Sequence, residues 1–490
     1  MRRVLAGVLL AAGIAAASGR FDKRIEELTA RCPAVQRGQI GYKFIDVETG
    51  EVLAEQDSAA FFTPASNTKL YTTALALVRL GPNYKFQTEL RTSGRWTAGQ
   101  TVIPDLQLVG GGDPNLSGRV LPYRMHAVDR DPLTPLASLA DKLVNAGIHE
   151  VDGDVTGVAT RYPGDLYPRG WTIDDSLYEY GAPVSSLALN DNTVTVTLRP
   201  TEPGDLAEVE LRPAVNHFVV LNQVVTDTSR VANVHLNRAP GTSEVLLWGS
   251  IGKACREWEE DLAVEDPALF AAEALIDILR DRGVVVRGEA RSEYQNLNNS
   301  SASAPTGTAL AVHDSAPLWQ EIQLINKVSQ NLHAEMLLRE VARVTRGEGT
   351  LQAGVAEREA FLGAAGVTRE GSGFDLYDAS GLARQNLTTP DSTVLLLRYM
   401  WQRPDRDLWV RSLPIGGVDG TIHDRFKHIP GADRVHAKTG EMSHVNALSG
   451  YIDSGHHRWL AFSILVNGTT APDTEVHAFM DQLCAVFLGD

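Results

Sequence analysis

The feature that most constrains this chain is a lysine that stands three residues after a serine, at the start of an apolar helix. The stretch T-P-A-S-N-T-K-L-Y-T-T-A-L-A-L begins at Thr63, and apolar residues recur at helical spacing until Gly81 ends the run. Ser66 and Lys69 occupy positions i and i+3, so their side chains share one face of the helix. On most helices such a lysine is solvated, and its meaning here depends on residues far along the chain.

The Ser66–Lys69 pair can be interpreted chemically or structurally. A serine hydroxyl is a poor nucleophile near neutral pH and needs a base beside it. A lysine amine supplies that base if burial or a neighbouring cation lowers its pKa. Alone, however, S-x-x-K occurs often by chance, and a serine that caps a helix is its usual explanation.

Two further motifs give the pair its significance. S-Q-N at Ser329–Asn331 precedes L-H-A-E-M-L-L-R-E-V, whose apolar spacing predicts a buried helix. K-T-G at Lys438–Gly440 precedes E-M-S-H-V-N-A-L-S-G-Y-I, which predicts a strand. Alone, the first is explained by a polar helix cap and the second by a turn before a strand. Together, S-x-x-K, S-x-N and K-T-G in this order are the motif set of penicillin-binding proteins and β-lactamases.

Both ends of the chain predict strands accompanied by helices. Gln39–Glu55 alternates as a hairpin about a turn at Glu48-Thr49-Gly50, and two strand-like runs near the C-terminus flank a turn at Ser454-Gly455. A final helix is predicted from Thr474 to Phe487. Because 490 residues are too many for one core, we predict two or three domains.

The middle of the chain has another character. In residues 86–303, short β-type runs dominate, and helical patches at Leu136–Ala146 and Pro267–Arg282 interrupt them. The turn-rich segment Asn296–Pro305 marks a boundary. We therefore predict that β-rich material is inserted into a domain made of both chain ends. That domain comprises residues 20–85 and 304–490.

The N-terminal segment predicts a secretory signal peptide. Arg2 and Arg3 precede the apolar run Val4–Ile14, and Ala15-Ala16-Ala17-Ser18 supplies a small-residue cleavage site. A membrane anchor is the alternative, but the run is shorter than the roughly 20 residues of a spanning helix. We predict residues 1–19 as the signal peptide, no membrane span after its cleavage, and a soluble periplasmic protein.

Composition and charge exclude several classes of protein. The net charge of −16 argues against nucleic-acid binding, which needs a basic face. Three cysteines, Cys32, Cys255 and Cys484, are too few for a disulfide framework, although one bridge stays possible. C-x-x-C, H-E-x-x-H and EF-hand patterns do not occur, so neither a metal site nor a cofactor is predicted.

The chain resembles the class C low-molecular-mass penicillin-binding proteins, the D-alanyl-D-alanine carboxypeptidases/endopeptidases of peptidase family S13. The resemblance covers nearly the whole mature chain. The 263 positions from Ser66 to Ser329 are far more than β-lactamases place there, and the family's inserted domains require them. Three further stretches look like the family's own: Gly110–Leu116, Tyr180–Leu187 and Asp378–Asn386.

The resemblance implies an α+β fold, a serine β-lactamase/penicillin-binding-protein-like transpeptidase domain with an antiparallel sheet flanked by helices and with inserted β-rich material. It implies that Ser66 attacks the carbonyl between two D-alanines of a peptidoglycan peptide, with Lys69 as the base. Ser329 would relay a proton to the leaving amine. Asn331 would hold Lys69 and the substrate amide, and Lys438 would add positive potential. β-Lactams would acylate the same serine as slowly hydrolysed mimics.

The residues at and after K-T-G are implied to hold the substrate. Thr439 would donate to the substrate's terminal carboxylate, and Gly440 would leave the strand edge open for the substrate backbone. The backbone N–H groups of Ser66 and Glu441 would form an oxyanion hole, worth about 3 kcal/mol per donor elsewhere. Glu441 departs from the family's usual Thr or Ser, and its carboxylate would repel a free substrate C-terminus unless it turns away. The departure favours endopeptidase over carboxypeptidase activity.

The family also has a pocket for the free end of a diaminopimelate side chain. The matching positions in this sequence are Trp171, Asp174, Tyr180, Leu382, Arg384, Met442 and Ser443. An acid and an arginine would pair with the amine and the carboxylate of that group. The alternative is that Trp171 and Tyr180 are simply packed aromatic residues.

Two other functions stay open. One is a β-lactamase, against which stand the long insertion and the lack of an evident deacylating glutamate. The other is a wall-binding or penicillin-binding scaffold whose turnover is lost through Glu441. The sequence does not indicate an oligomeric state.

Overall fold

The computed structural model describes residues 23–297, 307–368, 373–455 and 457–488, which form two compact units. The first unit holds the described residues up to Gly81, the segment Trp319–Ala334 and those from Val355 onward; the second holds Pro82–Leu318 and Glu335–Gly354. The predicted signal peptide, residues 1–19, lies outside the described residues, as does most of the boundary segment Asn296–Pro305. The domain limits predicted from the sequence stay a prediction.

The elements are numbered in chain order. The strands are β1 (Gln39–Asp46), β2 (Val52–Gln56), β3 (Gln87–Thr92), β4 (Val102–Ile103), β5 (Leu106–Val109), β6 (Glu150–Val151), β7 (Val155–Ala159), β8 (Thr193–Arg199), β9 (Glu208–Arg212), β10 (Val219–Asp227), β11 (Ala232–Arg238), β12 (Glu244–Gly252), β13 (Trp258–Ala263), β14 (Val285–Val286), β15 (Ala290–Tyr294), β16 (Thr308–Asp314), β17 (Phe374–Asp375), β18 (Leu387–Thr388), β19 (Val435–Met442), β20 (Val445–Gly455) and β21 (Arg458–Asn467). The helices are α1 (residues 23–31), α2 (Pro33–Gln36), α3 (Thr68–Leu80), α4 (Thr134–Asn145), α5 (Pro267–Asp281), α6 (Leu318–Val328), α7 (Asn331–Arg346), α8 (Leu351–Ala364), α9 (Pro390–Trp401), α10 (Arg406–Ser412) and α11 (Asp473–Ala485).

A five-stranded antiparallel sheet organises the first unit, with strand order β19-β20-β21-β1-β2. Strands from both ends of the chain are neighbours in it, so that Phe44 of β1 lies opposite Phe462 of β21. The hairpin predicted near the N-terminus is confirmed as β1 and β2. Its turn is fixed by the Asp46 carboxylate, which accepts from the backbone N–H groups of Glu48 and Thr49 at 3.0 and 2.9 Å.

Helices cover both faces of this sheet. On one face, the Phe44 ring stacks on Phe462 and Phe487, with ring centroids 5.5 and 4.3 Å apart, in a core to which α11 contributes. Side chains alternate between the faces of a strand, and on the other face Tyr451 of β20 donates to the Leu397 carbonyl of α9 at 2.6 Å. The 3₁₀ turn that precedes α3 contacts β19 and β20. The sheet therefore joins residues from distant parts of the sequence.

K-T-G lies inside strand β19. The run predicted as a single strand after K-T-G is the end of β19 followed by β20, joined by a tight turn at Ser443-His444. His444 has a left-handed backbone with φ 69°. Because histidine is not one of the usual turn residues, the alternation of the sequence concealed the turn. The final helix predicted from Thr474 is confirmed as α11.

The second unit contains four sheets among the residues that the structure describes: β15-β7-β5-β3-β16, β14-β6-β4, β13-β8-β9 and β10-β12-β11. The two predicted helical patches are α4 and α5, and both pack into one apolar core with strands of this unit. Helix α5 begins after Asp266, whose carboxylate accepts from the Leu269 N–H at 3.0 Å and so satisfies a free donor of the first turn.

A buried carboxylate organises another part of the second unit. Glu340 on α7 is fully buried; it accepts from Arg161 at 3.0 and 2.8 Å and from Arg343 at 3.0 and 2.9 Å. The hydroxyl groups of Tyr84 and Tyr162 also donate to it. Burial alone would raise the pKa of Glu340, but the hydrogen bonds from the two arginines hold that pKa below its usual value. The buried negative charge is therefore fully compensated.

The three cysteines are free thiols: Cys484 is buried, whereas Cys32 and Cys255 are half-buried. In the described part of the chain, helices fall short of the length and apolarity that crossing a bilayer requires.

Candidate active site

Ser66 lies in the short 3₁₀ turn that leads into α3. The turn comprises Ala65–Asn67, and Ala65 has a left-handed backbone with φ 45°, which is unfavourable for a residue with a Cβ atom. Residues Thr68–Leu77 are all buried, whereas Ser66 is partly exposed. The partly exposed serine therefore lies next to the buried part of the helix.

The amine of Lys69 is fully buried and lies within hydrogen-bond distance of three oxygen atoms. Its Nζ lies 2.7 Å from Ser66 Oγ, 2.6 Å from Asn331 Oδ1 and 2.8 Å from the carbonyl oxygen of Ser380. The first contact joins two positions of one helix turn, and the other two bring in residues 262 and 311 positions away. Acceptors in fixed directions hold the amine beside the serine hydroxyl.

Ser329 and Lys438 form a second hydroxyl–amine pair. Ser329 has φ 68° and stands two residues before Asn331, the first residue of α7. Lys438 Nζ lies 2.9 Å from Ser329 Oγ and 3.0 Å from the carbonyl oxygen of Thr439. The five residues predicted as catalytic thus lie together in the first unit.

Burial favours the uncharged form of the Lys438 amine. It lowers the pKa of the Lys438 amine well below its usual value, and the charge of Lys69 lowers it further, while the Glu441 carboxylate acts in the opposite direction. Two buried amines share one site, and each disfavours a charge on the other. Such a site allows a lysine to act as a base.

The Asn67 side chain connects the serine turn to strand β19. Its amide nitrogen faces the carbonyl oxygens of Lys438 and Thr439 at 2.8 and 3.2 Å, and its oxygen accepts from the Ser449 hydroxyl at 2.6 Å. Asn67 is fully buried, so these contacts satisfy polar groups that water cannot reach. They fix the distance between the S-x-x-K and K-T-G motifs.

Two glycines allow the backbone around Ser66 to pack closely. A Cβ atom at Gly440 would lie 2.5 Å from the Pro64 carbonyl oxygen and 3.0 Å from Ser66 N. A Cβ atom at Gly381 would overlap the Ala65 carbonyl group, and the φ of 92° at this residue also favours glycine. In the structure, the missing side chain of Gly440 makes room for the serine turn.

The outer edge of β19 presents backbone donors beside the serine turn. β19 is an edge strand, and the Ala437 N–H points outward to the Pro414 carbonyl oxygen at 2.9 Å. Because backbone groups alternate along an antiparallel strand, the N–H groups of Thr439 and Glu441 point to the same edge. The Thr439 hydroxyl donates to the Thr421 hydroxyl at 2.8 Å, a partner that the sequence did not predict.

The Glu441 side chain lies on the face of the sheet opposite to Lys438, as alternation requires. Its Oε1 lies 3.2 Å from Nε2 of His477 on α11. The hydrogen bond from His477 lowers the pKa of Glu441; burial opposes this effect, and the positive charge of Arg425 supports it. Glu441 is therefore an ionised carboxylate turned toward α11.

The backbone of the D-A-S-G-L-A-R-Q-N loop, residues 378–386, contributes to the site in a way that the sequence did not predict. The Asp378 carboxylate accepts from the N–H groups of Gly381 and Ala383 at 2.9 and 2.7 Å. The loop so formed presents the Ser380 carbonyl to Lys69. Asp, Ser and Gly in close succession are typical of turns. Residue type does not, however, identify which carbonyl group of a turn accepts a distant amine.

The residues predicted to hold the diaminopimelate end divide between the two units. The first unit holds Leu382, Arg384, Met442 and Ser443, and the second holds Trp171, Asp174 and Tyr180. Arg384 Nη1 donates to the Ser443 carbonyl oxygen at 3.3 Å. Tyr180 is 40% exposed, and its ring stacks on Tyr178 with centroids 5.6 Å apart.

The site offers the groups that acyl transfer needs. These are a partly exposed hydroxyl beside an amine, a second hydroxyl–amine pair, and backbone donors at a strand edge. Across the described residues, no cluster of three or more His, Cys, Asp or Glu side chains is placed to hold a metal ion.

Comparisons with known proteins agree with this chemistry. Residues 21–486 match the D-Ala-D-Ala carboxypeptidase 3 (S13) family. A D-alanyl-D-alanine carboxypeptidase from Actinomadura sp. (strain R39) is 34% identical over 475 residues, which cover 94% of this chain and 84% of that protein. The D-alanyl-D-alanine carboxypeptidase DacB from Haemophilus influenzae is 25% identical over 457 residues, which cover 92% of this chain and 89% of that protein.

The fold is similar to that of a solved structure. The crystal structure of penicillin binding protein 4 (dacB) from Haemophilus influenzae has a TM-score of 0.81 at 23% identity and covers 95% of this chain and 99% of its own. The predicted α+β penicillin-binding fold is thereby confirmed. The predicted enzyme class, a serine-type D-Ala-D-Ala carboxypeptidase, is confirmed by the family match and the relatives. The chain belongs to the D-Ala-D-Ala carboxypeptidase 3 (S13) family.

Proposed function

We propose that this enzyme cleaves the D-alanyl-D-alanine bond of peptidoglycan stem peptides through an acyl-enzyme on Ser66. The observation that carries the proposal is the position of the Lys69 amine, which is fully buried and lies 2.7 Å from Ser66 Oγ. A serine hydroxyl reacts near neutral pH only when a base is within hydrogen-bond reach.

Acylation begins when Ser66 Oγ attacks the carbonyl carbon between the two D-alanines and Lys69 takes the hydroxyl proton. The two buried amines repel each other when both are charged, which favours an arrangement in which one of them is uncharged. The backbone N–H groups of Ser66 and Glu441 receive the developing oxyanion, an interaction worth about 3 kcal/mol per donor in other enzymes. The tetrahedral intermediate then collapses to an ester.

Departure of the terminal D-alanine needs a proton on its amine. The Ser329 hydroxyl relays that proton, and Lys438, 2.9 Å away, holds the hydroxyl in place. Asn331 accepts from Lys69 through Oδ1, and the same side chain would hold the substrate amide. Water then attacks the ester carbonyl, and Ser66 regains its proton as the shortened peptide leaves.

The names of the relatives support the substrate class, and the N-terminal residues support the compartment. Both curated relatives described above are named D-alanyl-D-alanine carboxypeptidases. A second solved structure of the Haemophilus influenzae protein, with a TM-score of 0.73, contains a β-lactam. We expect β-lactams to acylate Ser66 in the same way as the peptide. Residues 1–19 would direct export across the inner membrane and be removed, which places the enzyme in the periplasm.

Residues 20–85 and 304–490 would form the catalytic domain, with residues 86–303 as the inserted β-rich region. In the first unit, the exposed guanidinium of Arg384 would bind the carboxylate at the free end of a diaminopimelate side chain, with Leu382, Met442 and Ser443 beside it. Contact of Trp171, Asp174 and Tyr180 with the same side chain stays a prediction.

Carboxypeptidase and endopeptidase activities differ in the charge that the substrate brings to K-T-G. A carboxypeptidase substrate ends in a free carboxylate, whereas a cross-link need not present one. The charge of Glu441 favours the cross-link. Its contact with His477 supports tolerance of the free carboxylate, so we expect both activities.

Labelling with fluorescent penicillin tests the nucleophile. We expect the protein to be labelled and Ser66→Ala to stay unlabelled. Release of D-alanine from a pentapeptide and cleavage of a cross-linked dimer then measure the two activities. Labelling without cleavage of either substrate would favour the scaffold alternative, and rapid loss of the label would favour a β-lactamase.

A further inference from the structure

A carboxylate stands on the residue whose backbone would bind the oxyanion. The Glu441 N–H points to the outer edge of β19, so the Glu441 side chain starts within a few bonds of the bound substrate. That side chain is 51% exposed. A half-exposed glutamate has the rotamer freedom to turn toward the substrate unless another group holds it.

His477 is the group that holds it. Nε2 of His477 lies 3.2 Å from Glu441 Oε1, and the imidazole is mostly buried on α11. The same Nε2 lies 2.9 Å from Oδ1 of Asn446, the residue opposite Glu441 in β20. The imidazole therefore contacts the strand pair at one register position.

Asn446 determines where the imidazole carries its hydrogen. Its Nδ2 donates to Asp473 Oδ1 at 2.9 Å, so its Oδ1 faces His477. Because an amide oxygen and a carboxylate can only accept, the hydrogen lies on Nε2. This one Nε2–H lies between Asn446 Oδ1 at 2.9 Å and Glu441 Oε1 at 3.2 Å, and it is present whether the imidazole is neutral or charged.

The charges around the pair keep Glu441 ionised. Arg425 binds Asp481 of α11 at 2.7 Å, and its Nη2 lies 3.4 Å from the His477 carbonyl oxygen. The positive charges of Arg425 and Lys438 both favour the Glu441 carboxylate. These charges favour the ionised form of Glu441, so the direction in which its carboxylate points decides whether it repels the substrate.

We infer that His477 is a positioning residue that holds the Glu441 carboxylate against α11 and away from the substrate edge of β19, and so permits binding of peptides with a free C-terminal carboxylate. The inference rests on the proposed acyl-enzyme at Ser66 and adds a determinant of specificity to it. His477 does not contact the reacting atoms. Its effect is to redirect one negative charge.

The test compares two peptides that differ only at the C-terminus. One ends in D-Ala-D-Ala with a free carboxylate, and the other carries a C-terminal amide. In His477→Ala, we expect KM for the acid to rise about fivefold with little change in kcat. The reason is that the Glu441 carboxylate, no longer held by His477, would repel the substrate carboxylate in a solvent-accessible setting. His477→Ala should cleave the amide peptide as the wild-type enzyme does. The rise in KM for the acid should become smaller at high salt, which screens the repulsion.

A second substitution separates positioning from a merely structural role. Adding Glu441→Gln to His477→Ala removes the released charge, so KM for the acid should return close to the wild-type value. His217→Ala is the matched control: it breaks a similar contact, His217 Nδ1 to Glu273 Oε2 at 2.8 Å, in the second unit and should leave the acid-to-amide ratio unchanged. Because this ratio compares two substrates of one preparation, partial unfolding does not alter it.

The outcomes distinguish this inference from the proposed function. Equal losses for acid and amide in His477→Ala, or no recovery in the double variant, would overturn the part assigned to His477. End-point labelling by fluorescent penicillin would still succeed in that case. A wild-type protein that fluorescent penicillin does not label would instead overturn the acyl-enzyme on which the inference rests.

Discussion

The first unit buries the amines of Lys69 and Lys438, whereas the second unit buries the carboxylate of Glu340. Four side chains donate to Glu340, and two of them are arginines. The partners of Lys438 are a hydroxyl and a carbonyl oxygen, both uncharged. Burial and the charge of Lys69 both lower the pKa of its amine.

The contrast separates two uses of a buried charge. Around Glu340, the charge is compensated, and burial with complete hydrogen bonding fixes how parts of one unit pack. Around Lys69, the two amines oppose each other's protonation. Such an arrangement lowers stability and is expected where a base must be uncharged. Substitution of Lys69 should therefore lower activity, and substitution of Glu340 should lower stability.

The largest effect is expected for Lys69→Met. The rate of D-alanine release should fall about 10³-fold or more, because the general base is lost. The free energy of unfolding should stay equal or rise, since an apolar side chain replaces a buried amine. Steady-state assays and urea unfolding measure the two quantities. Lys69→Met with wild-type activity, or with several kcal/mol less stability, would contradict the contrast.

Glu340→Gln should show the opposite pattern. It leaves Arg161 and Arg343 without a buried counter-charge, which should lower the free energy of unfolding by about 3 kcal/mol. Glu202→Gln is the control, because the exposed pair of Glu202 and Lys253 should contribute less than about 1 kcal/mol. Urea denaturation of both variants measures the difference. Equal values would mean that the compensation around Glu340 does not stabilise the fold.

Gly440→Ala tests whether the close packing of the serine turn serves activity. The added Cβ atom would press on Pro64 O and Ser66 N, so we expect acylation by penicillin to slow about 10²-fold through the displaced oxyanion donor. In Gly363→Ala, in helix α8, the added Cβ atom would lie 3.9 Å from Thr368 Oγ1, which is an ordinary contact. Penicillin should acylate this variant normally, and its free energy of unfolding should rise by about 0.5–1 kcal/mol. Similar acylation rates in both variants would show that close packing at Gly440 is not required for acylation.

The smallest effect concerns pH. Burial lowers the pKa of Lys438 in the folded state below 10.5, so the unfolded state binds more protons over the window between the two values. The free energy of unfolding should therefore rise with pH in that window, by at most about 1.4 kcal/mol per pH unit. Lys438→Met should lack this contribution. Unfolding at several pH values up to 10 measures it, and parallel curves for the two proteins would contradict a lowered pKa of Lys438 in the folded state.

The sequence could predict residues whose own side chains carry the chemistry. Ser66, Lys69, Ser329, Asn331 and Lys438 stand in short motifs, and the structure brings them to one site. The fold class followed from the family resemblance that these motifs carry.

Other parts of the site have no signature in residue type. The Ser380 contact uses a backbone carbonyl group, and the Asn67 contacts depend on where β19 passes the serine turn. The Glu441–His477 contact arises because α11 covers β20, which only the packing of the sheet determines. The turn at Ser443-His444 was hidden for a local reason, a histidine in a left-handed conformation.

The most direct test of the central claim is the site and rate of β-lactam acylation. Peptide mapping by mass spectrometry at successive times after addition of benzylpenicillin follows the adduct. The account predicts one adduct, on the peptide that contains Ser66, which forms at least about 10³-fold more slowly in Lys69→Met. An adduct on another residue, or one that forms equally fast without the Lys69 amine, would contradict it.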